Sequence, residues 1–218
     1  MPHNCLLYYI TDRSQLPGDE SARRHALLAK VAEAARAGVD YIQLREKDLS
    51  TRELETLARE VAELVRENSP STRLLINSRT DVALAAEADG VHLRADDVAP
   101  HEVRQVLEVS AHRPLTTDHF LVAASCHTHE EVIRAEAEKA GFAVFAPVFA
   151  KRGAAGTPSA GLAVLREACR AKIPVLALGG VTIENAGPCL DAGATGVAGI
   201  RLFQENKIED VVRALRAH

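Results

Sequence analysis

The sequence lacks any apolar run near the roughly 20 residues that a membrane-spanning helix needs. Its opening stretch, MPHNCLLYYITDR, has no basic segment followed by a long apolar core, so we expect no secretory signal peptide. It also has no excess of basic residues, since 26 Lys and Arg stand against 30 Asp and Glu, a net charge of −4. Because nucleic-acid-binding proteins usually carry a basic surface, we expect neither nucleic acid nor a membrane as partner.

Cysteines are few and scattered. The four, Cys5, Cys126, Cys169 and Cys189, form no CxxC pair and no spacing typical of a zinc site. We interpret them as small core or near-surface thiols in a reducing cytosol, so we expect a cytoplasmic location. At 218 residues, with 47% apolar and 26% charged residues, the chain is long enough for a substantial globular core.

Short apolar runs alternate along the chain with longer amphipathic stretches. The runs predicted to be strands are 6–11, 41–45, 73–77, 90–93, 120–125, 142–147, 174–179 and 196–202. The stretches predicted to be helices are 21–37, 51–67, 81–88, 100–107, 129–139, 161–171, 183–192 and 208–217. In the second helical stretch, apolar residues recur at steps of three and four and form one stripe: Leu54, Leu57, Val61 and Leu64.

Strands that each lead into a helix predict a parallel sheet, and eight such units close naturally into a (β/α)8 TIM barrel. We expect one such domain over residues 1–218. An open doubly wound sheet is the alternative, disfavoured because no glycine-rich dinucleotide loop follows the first strand. Residues 108–120 are predicted to be a polar surface loop. The oligomeric state is left open, a homo-oligomer included.

Active sites of such barrels lie at the carboxyl ends of the strands. The second strand runs there into four charged residues, in YIQLREKDLS (41–50). Because successive side chains of a strand point to opposite faces, Gln43, Arg45 and Lys47 share one face. An amide and two cations in a row predict that an anion binds there, most simply a diphosphate.

Two carboxylates follow the fourth strand. Asp96 and Asp97 could hold a hard cation such as Mg²⁺, bridging the predicted diphosphate. The alternative is that Arg45 and Lys47 merely form ion pairs with Asp96, Asp97 or Glu46. The sequence leaves both interpretations open.

The stretch LGGVTIEN (178–185) suggests a second anion site. It places Gly179 and Gly180 at the end of the seventh strand, with Thr182 predicted to open a helix. Glycines let the backbone approach a ligand, and free N–H groups at a helix start attract anions. Arg201, in the eighth strand, adds a planar guanidinium suited to phosphate oxygens. Since this fold commonly binds phosphate after strands seven and eight, we predict a phosphate site here.

Several motifs together resemble the thiamine phosphate synthase family, which includes the thiazole tautomerases of the TenI type: YIQLREKD, INSRTDVALAAEADGVHL, SCHTHEE, PVF, LALGGVTIENA and GATGVAGI. The likeness covers nearly the whole chain. It implies a (β/α)8 enzyme that uses Mg²⁺ to join hydroxymethylpyrimidine diphosphate to thiazole phosphate, giving thiamine phosphate and pyrophosphate. The resemblance places diphosphate and pyrimidine contacts at Gln43, Arg45, Lys47, Asn77 and Ser125, a metal ligand at Asp97, and the thiazole phosphate at Gly180.

The chain also departs from the family pattern. Ser78 replaces an acidic metal ligand, Arg94 stands where glycine is usual, and Arg201 stands where a phosphate-binding serine is common. The loss of one carboxylate is expected to weaken Mg²⁺ binding. The PTxTK run after PVF is absent, and the residues that would substitute for it are Lys151, Arg152 and Thr157.

Several functions stay open on these residues. The QLREKD run favours the synthase, with Arg45 and Lys47 catalytic through stabilisation of departing pyrophosphate, because a tautomerase has no use for a diphosphate clamp. Ser78 and the altered loop favour a tautomerase, for which His127 falls on the proton carrier's position. A loop histidine is the alternative for His127. A non-catalytic relative that binds thiazole phosphate is a further alternative, and an unrelated phosphate-handling barrel, such as a sugar-phosphate epimerase, is another.

Overall fold

The structure, a computed structural model, describes residues 5–109, 120–150 and 159–217. Its strands are β1 (Leu6–Ile10), β2 (Tyr41–Leu44), β3 (Arg73–Asn77), β4 (Gly90–Leu93), β5 (Leu121–Cys126), β6 (Phe142–Phe145), β7 (Val175–Ala177) and β8 (Gly196–Gly199). Its helices are α1 (Glu20–Ala37), α2 (Thr51–Asn68), α3 (Thr80–Ala85), α4 (Pro100–Val109), α5 (His129–Ala137), α6 (Gly161–Ala168), α7 (Ala186–Asp191), α8 (Arg201–Gln204) and α9 (Ile208–Arg216). A 3-10 turn, Arg13–Gln15, follows β1.

The eight strands close into one parallel barrel in chain order. The closure is made by β1, in which Tyr8 lies opposite Tyr41 of β2 on one side and opposite Ala198 of β8 on the other. The predicted (β/α)8 barrel is therefore confirmed, and the open doubly wound sheet is excluded. Within the described residues, no helix has both the length and the apolar character that a membrane crossing requires.

Alternate side chains of each strand face the barrel interior and the surrounding helices. In β2, Ile42 and Leu44 belong to the apolar layer between barrel and helices. The interior holds a separate cluster of aromatic rings, in which Tyr41 stacks on Phe142 with centroids 4.9 Å apart. Tyr8 meets Phe142 edge-on at 5.5 Å. The inward-facing polar side chains at the end of β2 therefore lie directly above these aromatic rings.

Helix α2 illustrates how the helices are fixed on the barrel. Ser50 caps it, since its hydroxyl accepts from the Glu53 backbone N–H while the Glu53 carboxylate accepts from the Ser50 N–H. The predicted apolar stripe packs inward, with Leu64 half-buried and three members buried: Leu54, Leu57 and Val61. The loop from β2 to α2 therefore ends at a defined residue, which limits the freedom of the charged stretch within it.

Two predicted boundaries near the end of the barrel are wrong. Strand β8 stops at Gly199, so Arg201 is the first residue of α8 and not part of the strand. The helix predicted at 183–192 begins only at Ala186. The Asn185 side chain accepts from the Thr182 backbone N–H at 2.7 Å and holds the preceding residues in a turn. Thr182 therefore opens no helix.

Some predictions fall outside the described residues. Helix α4 runs through Val109, and the rest of the predicted 108–120 loop lies almost wholly at 110–119, beyond the described part of the chain. The proposed substitutes for the PTxTK run also lie outside it: Lys151, Arg152 and Thr157. The cysteines are free thiols, buried except for the half-buried Cys169, in agreement with prediction.

Candidate active site

The carboxyl ends of the parallel strands meet at one rim of the barrel, and the predicted site residues lie along it. The structure places them as follows: Gln43 in β2 with Arg45 and Lys47 just beyond it, Asn77 at the end of β3, Asp96 and Asp97 after β4, Ser125 in β5 with His127 after it, Gly179 and Gly180 after β7, and Arg201 after β8. The barrel therefore brings residues from six strands to the same end of the molecule.

The charged run after β2 is organised by a buried arginine that sequence reasoning missed. Arg13 is only 4% exposed and donates to Glu46 Oε2 at 3.0 Å, through both its backbone N–H and Nη1. It also forms a two-pronged contact with Asp48, at 2.8 Å for each pair of atoms. Thr11 Oγ1 donates to Glu46 Oε1 at 2.6 Å. The carboxylates of Glu46 and Asp48 are therefore already bound by residues of the loop that follows β1.

This network decides how Arg45 and Lys47 are presented. Glu46 is paired with Arg13, which contradicts the alternative that it neutralises the rim cations. The Arg45 backbone N–H donates to Thr11 Oγ1 at 3.0 Å, and its guanidinium lies 3.9 Å from Asp12 Oδ2, at the long end of an ion pair. The Arg45 side chain is 23% exposed and Lys47 is exposed in the following turn. Both cations therefore remain accessible to an anion.

Asp97 is held by its own loop. Its Oδ2 accepts from the Arg94 backbone N–H at 2.7 Å, and its Oδ1 accepts from Arg94 Nη2 at 2.9 Å. Ser78, in the left-handed region at φ 60°, adds a side-chain hydrogen bond to Asp97 and accepts one from Asn77 Nδ2 at 3.1 Å. Burial would raise the pKa of Asp97, but the hydrogen bonds from Arg94 and Ser78 outweigh burial and lower it.

These residues do not fit a resident Mg²⁺ ion. Both carboxylate oxygens of Asp97 face donors of Arg94, and Asp96 also lies beside that guanidinium, 3.5 Å from its Nε, with its side chain 74% exposed. Mg²⁺ needs oxygen ligands that are free to coordinate in a near-octahedral shell. Within the described residues, no group of three or more His, Cys, Asp or Glu side chains could hold a metal ion. Arg94 therefore pairs with both predicted metal ligands, Asp96 and Asp97.

A chain of hydrogen bonds links four strands beneath the rim. Gln43 Nε2 donates to Tyr8 Oη at 2.9 Å, Tyr8 Oη lies 3.1 Å from His92 Nδ1, and His92 Nε2 lies 2.8 Å from Ser125 Oγ. Gln43, Tyr8 and His92 are buried, and Ser125 is half-buried. Burial lowers the pKa of His92 to about 3, so the imidazole is neutral at physiological pH.

His127 lies just past β5 and is exposed. Its Nδ1 is 2.7 Å from the Ala146 carbonyl oxygen, and because a carbonyl only accepts, Nδ1 carries the proton. In the neutral ring Nε2 is then left as the unprotonated nitrogen. The backbone N–H of His127 donates to Glu131 at the start of α5, which fixes the residue further. A proton acceptor at this position is therefore compatible with the geometry.

The ends of β7 and β8 surround a cavity of about 500 Å³, lined among others by Gly179, Gly180, Thr182, Ile200 and Arg201. Gly180 has φ 65°, and a Cβ there would stand 2.8 Å from the Ala150 carbonyl oxygen and from Phe149 Cβ. Only glycine fits this backbone without strain. Because the Thr182 N–H is already bound by Asn185, the loop glycines and Arg201 remain as the anion-attracting groups predicted here.

Sequence reasoning missed Arg13, Glu46 and the Tyr8–His92 pair as members of the site. A signal existed for the first two, since TDR ends the first strand just as REKD ends the second, and neighbouring strand ends meet at one rim. For Tyr8 and His92 the signal was weaker: each is the only polar side chain facing inward within its strand. Such polar groups rarely lie in a barrel interior without a partner.

Comparisons with known proteins agree with this architecture. A family model described as thiamine monophosphate synthase matches residues 7–203. The chain is 39% identical over 200 residues to a putative thiamine-phosphate synthase 2 of Aquifex aeolicus, covering 91% of this chain and 97% of that protein. It is 35% identical over 219 residues to a thiamine-phosphate synthase of Chlorobium luteolum, covering 99% and 93%.

A solved structure is also similar over nearly its full length. Thiamine phosphate pyrophosphorylase from Pyrococcus furiosus superposes with a TM-score of 0.79 at 28% identity, covering 99% of this chain and 96% of that one. A 3-hexulose-6-phosphate synthase superposes with a TM-score of 0.65 at 18% identity, which reflects the barrel fold alone. The similarity in sequence and the similarity in structure therefore lead to the same group of proteins.

Proposed function

The chain belongs to the thiamine monophosphate synthase family, and on that premise we propose that it joins hydroxymethylpyrimidine diphosphate to thiazole phosphate. The products are thiamine phosphate and pyrophosphate. The relatives described above are named as synthases or as a pyrophosphorylase, and none of them as a tautomerase. Its substrates are small phosphorylated molecules.

The diphosphate half of the site is supported by the cations after β2. Arg45 and Lys47 are accessible, and the carboxylates closest to them in sequence, Glu46 and Asp48, are bound to Arg13. Cations placed where negative charge develops stabilise a leaving group without having to reorganise. Arg45 and Lys47 therefore bind the diphosphate and stabilise it as it departs, while Gln43, Asn77 and Ser125 hold the pyrimidine side.

The thiazole half is supported by the cavity between β7 and β8. Its glycine backbone allows close approach of a phosphate, and Arg201 supplies a guanidinium at its edge. The lone pair of the thiazole nitrogen forms a bond to the methylene carbon of the pyrimidine. The carbon–oxygen bond to the diphosphate breaks, and its electron pair leaves with pyrophosphate.

We assign none of these steps to a resident Mg²⁺ ion, because both carboxylate oxygens of Asp97 accept hydrogen bonds from Arg94. The family resemblance implies that Mg²⁺ accompanies the diphosphate, and a direct measurement of metal affinity is described below. His127 is left without a step in this reaction. The free thiols support a reducing, cytoplasmic location.

The observation that carries the proposal is the placement of two anion-binding features on one rim, the accessible pair Arg45 and Lys47 and the glycine-lined cavity. Purified protein is incubated with both substrates and Mg²⁺, and thiamine phosphate is measured. Arg45→Ala is expected to lower kcat/KM by about 10- to 100-fold, because it removes charged contacts to the leaving group. The matched control is Arg59→Ala, an exposed arginine paired with Glu55 on the outer face of α2, which is expected to retain full activity.

The outcomes separate the alternatives. Formation of thiamine phosphate that depends on Arg45 supports the synthase. Calorimetric binding of thiazole phosphate without product from coupling or tautomerisation would instead identify a non-catalytic relative. Turnover of a thiazole tautomer in the absence of the pyrimidine, with no coupling, would replace the proposal by the tautomerase.

A further inference from the structure

The buried chain Gln43–Tyr8–His92–Ser125 has one consistent direction. The Gln43 amide nitrogen can only donate, so Tyr8 Oη accepts from it and gives its own proton to His92 Nδ1. A neutral imidazole then has its single N–H at Nε2, which donates to Ser125 Oγ at 2.8 Å. Ser125 Oγ therefore accepts a hydrogen bond from His92, so the Ser125 hydroxyl proton donates to a different group.

The surroundings keep this direction from reversing. His92 and Tyr8 are 3% and 0% exposed, so water does not compete for their polar atoms. A protonated His92 would present Nδ1–H to a Tyr8 oxygen that already accepts from Gln43, and the Tyr8 proton would lose its acceptor. Burial lowers the pKa of His92, with Arg45 adding to the effect and Asp97 opposing it. His92 therefore stays neutral, and among the hydrogen bonds of the described residues the Tyr8 proton has its acceptor only when Nδ1 carries no proton.

We propose that Tyr8 and His92 are positioning residues that fix the Ser125 hydroxyl as a hydrogen-bond donor toward a ring nitrogen of the pyrimidine. The inference rests on the proposed function for the identity of the ligand. Aromatic ring nitrogens with a free lone pair only accept hydrogen bonds, so a serine locked as a donor is complementary to them. A serine that could also accept would lose part of this preference.

The direction of the chain can be measured in the free protein, independently of any activity. In protein labelled with ¹⁵N-histidine, NMR of the His92 ring nitrogens is expected to show a proton on Nε2 and none on Nδ1 at pH 7. Tyr8→Phe keeps the ring contacts with Tyr41 and Phe142 but removes the hydroxyl, and it is expected to produce a mixture of tautomers. A wild-type His92 protonated on Nδ1 would reverse the chain and overturn the proposal.

The adjacent tyrosine provides a matched control. Tyr9 lies on the opposite face of β1, against Phe203, and its buried hydroxyl has no hydrogen-bond partner among the described residues. Tyr9→Phe is therefore the same chemical change one residue away, outside the chain. It is expected to leave the His92 spectrum and the steady-state kinetics unchanged.

Kinetics test whether the chain acts through Ser125. Tyr8→Phe is expected to raise KM for pyrimidine diphosphate by about threefold to tenfold, the loss of one hydrogen bond, and to leave KM for thiazole phosphate unchanged. In a Ser125→Ala background, Tyr8→Phe is expected to have no further effect, because the group it positions is gone. Additive effects of the two changes would show that Tyr8 does not act through Ser125.

A pair of variants at His92 tests the same proposal without relying on the folding of Tyr8→Phe. His92→Gln retains a side-chain amide donor for Ser125, whereas His92→Leu retains none. The KM for pyrimidine diphosphate is therefore expected to be lower in His92→Gln than in His92→Leu. Equal KM values in the two would contradict the proposal. If the wild-type protein makes no thiamine phosphate, the proposed function fails, while the NMR arm still decides the direction of the chain.

Discussion

Two arginines near the rim differ in their surroundings, and the difference decides which one can meet a ligand. Arg13 is buried, and all of its nitrogens face the carboxylates of three acidic residues. Arg45 is partly exposed and has one distant carboxylate, Asp12 at 3.9 Å. A guanidinium already bound on its planar fork cannot take up phosphate without giving up those bonds. Arg13 therefore supports the loop, and Arg45 is the cation available to the ligand.

Removing the charge of Glu46 should expose the cost of a broken buried ion pair. Glu46→Gln removes the buried one of the three carboxylates that face Arg13 and leaves Asp48 and Glu20 in place, so we expect the free energy of unfolding to fall by about 1.5 kcal/mol in urea titrations. The control is Glu60→Gln, in an exposed pair with Arg24, expected to cost no more than about 0.5 kcal/mol. Equal losses in the two variants would mean that the buried pair does not stabilise the loop.

A single substitution at Ser78 should supply the second carboxylate that a Mg²⁺ site beside Asp97 lacks. Ser78 contacts Asp97 and has φ 60°, a conformation that Asp and Asn adopt more readily than most residues. Ser78→Asp places a second carboxylate beside Asp97, and we expect it to increase affinity for Mg²⁺, measured by calorimetry or with Mn²⁺ by electron paramagnetic resonance. Ser78→Asn, which has the same shape without the charge, should behave like the wild type. Equal affinity in all three proteins would show that Arg94 alone controls the site.

At the scale of helices and strands, local sequence patterns predicted most of the barrel. They failed where a side chain forms a hydrogen bond with the backbone. The bounds of β3 and β4 followed from their apolar runs, and the predicted start of the second helix at residue 51 is the first residue of α2. The late start of α7 depends on the bond from Thr182 to Asn185, which periodicity does not report. The contact between Tyr8 and His92 joins residues 84 apart, so it could be found only once the barrel had closed.

The loop after β7 allows the backbone conformation and the space around a glycine to be separated. Gly180 and Gly161 have similar positive φ values, 65° and 76°, but a Cβ at Gly161 would meet nothing within 4 Å. Alanine at Gly161 is expected to cost about 1–2 kcal/mol of stability through its backbone conformation alone, and alanine at Gly180 is expected to cost more, because its Cβ also clashes with the backbone. Only Gly180→Ala should weaken thiazole phosphate binding, by about tenfold or more in calorimetry, because its Cβ displaces Ala150 in the cavity wall. Similar weakening in Gly161→Ala would argue that the phosphate binds elsewhere.

For the molecule as a whole, barrel closure makes the base of the site and the core of the fold the same set of residues. The pairing of β1 with β8 encloses Tyr8 among aromatic rings, and the polar chain from Gln43 to Ser125 crosses that interior. Both ends of this chain, Gln43 and Ser125, are residues proposed to hold the pyrimidine, so the buried network supports that half of the proposed reaction. A change in the charge of His92 should therefore act on the stability of the entire barrel.

The pH dependence of unfolding should report the buried imidazole directly. Burial lowers the pKa of His92 from 6.5 to about 3, so between these values the unfolded chain binds a proton that the folded protein does not. The free energy of unfolding should therefore fall as pH falls through this window, by about 1.4 kcal/mol per pH unit from this group alone. Urea titrations from pH 7 to 4 measure it. His92→Gln, which cannot titrate, should show a slope shallower by that amount, whereas parallel slopes in the two proteins would mean that His92 takes up its proton without unfolding the barrel.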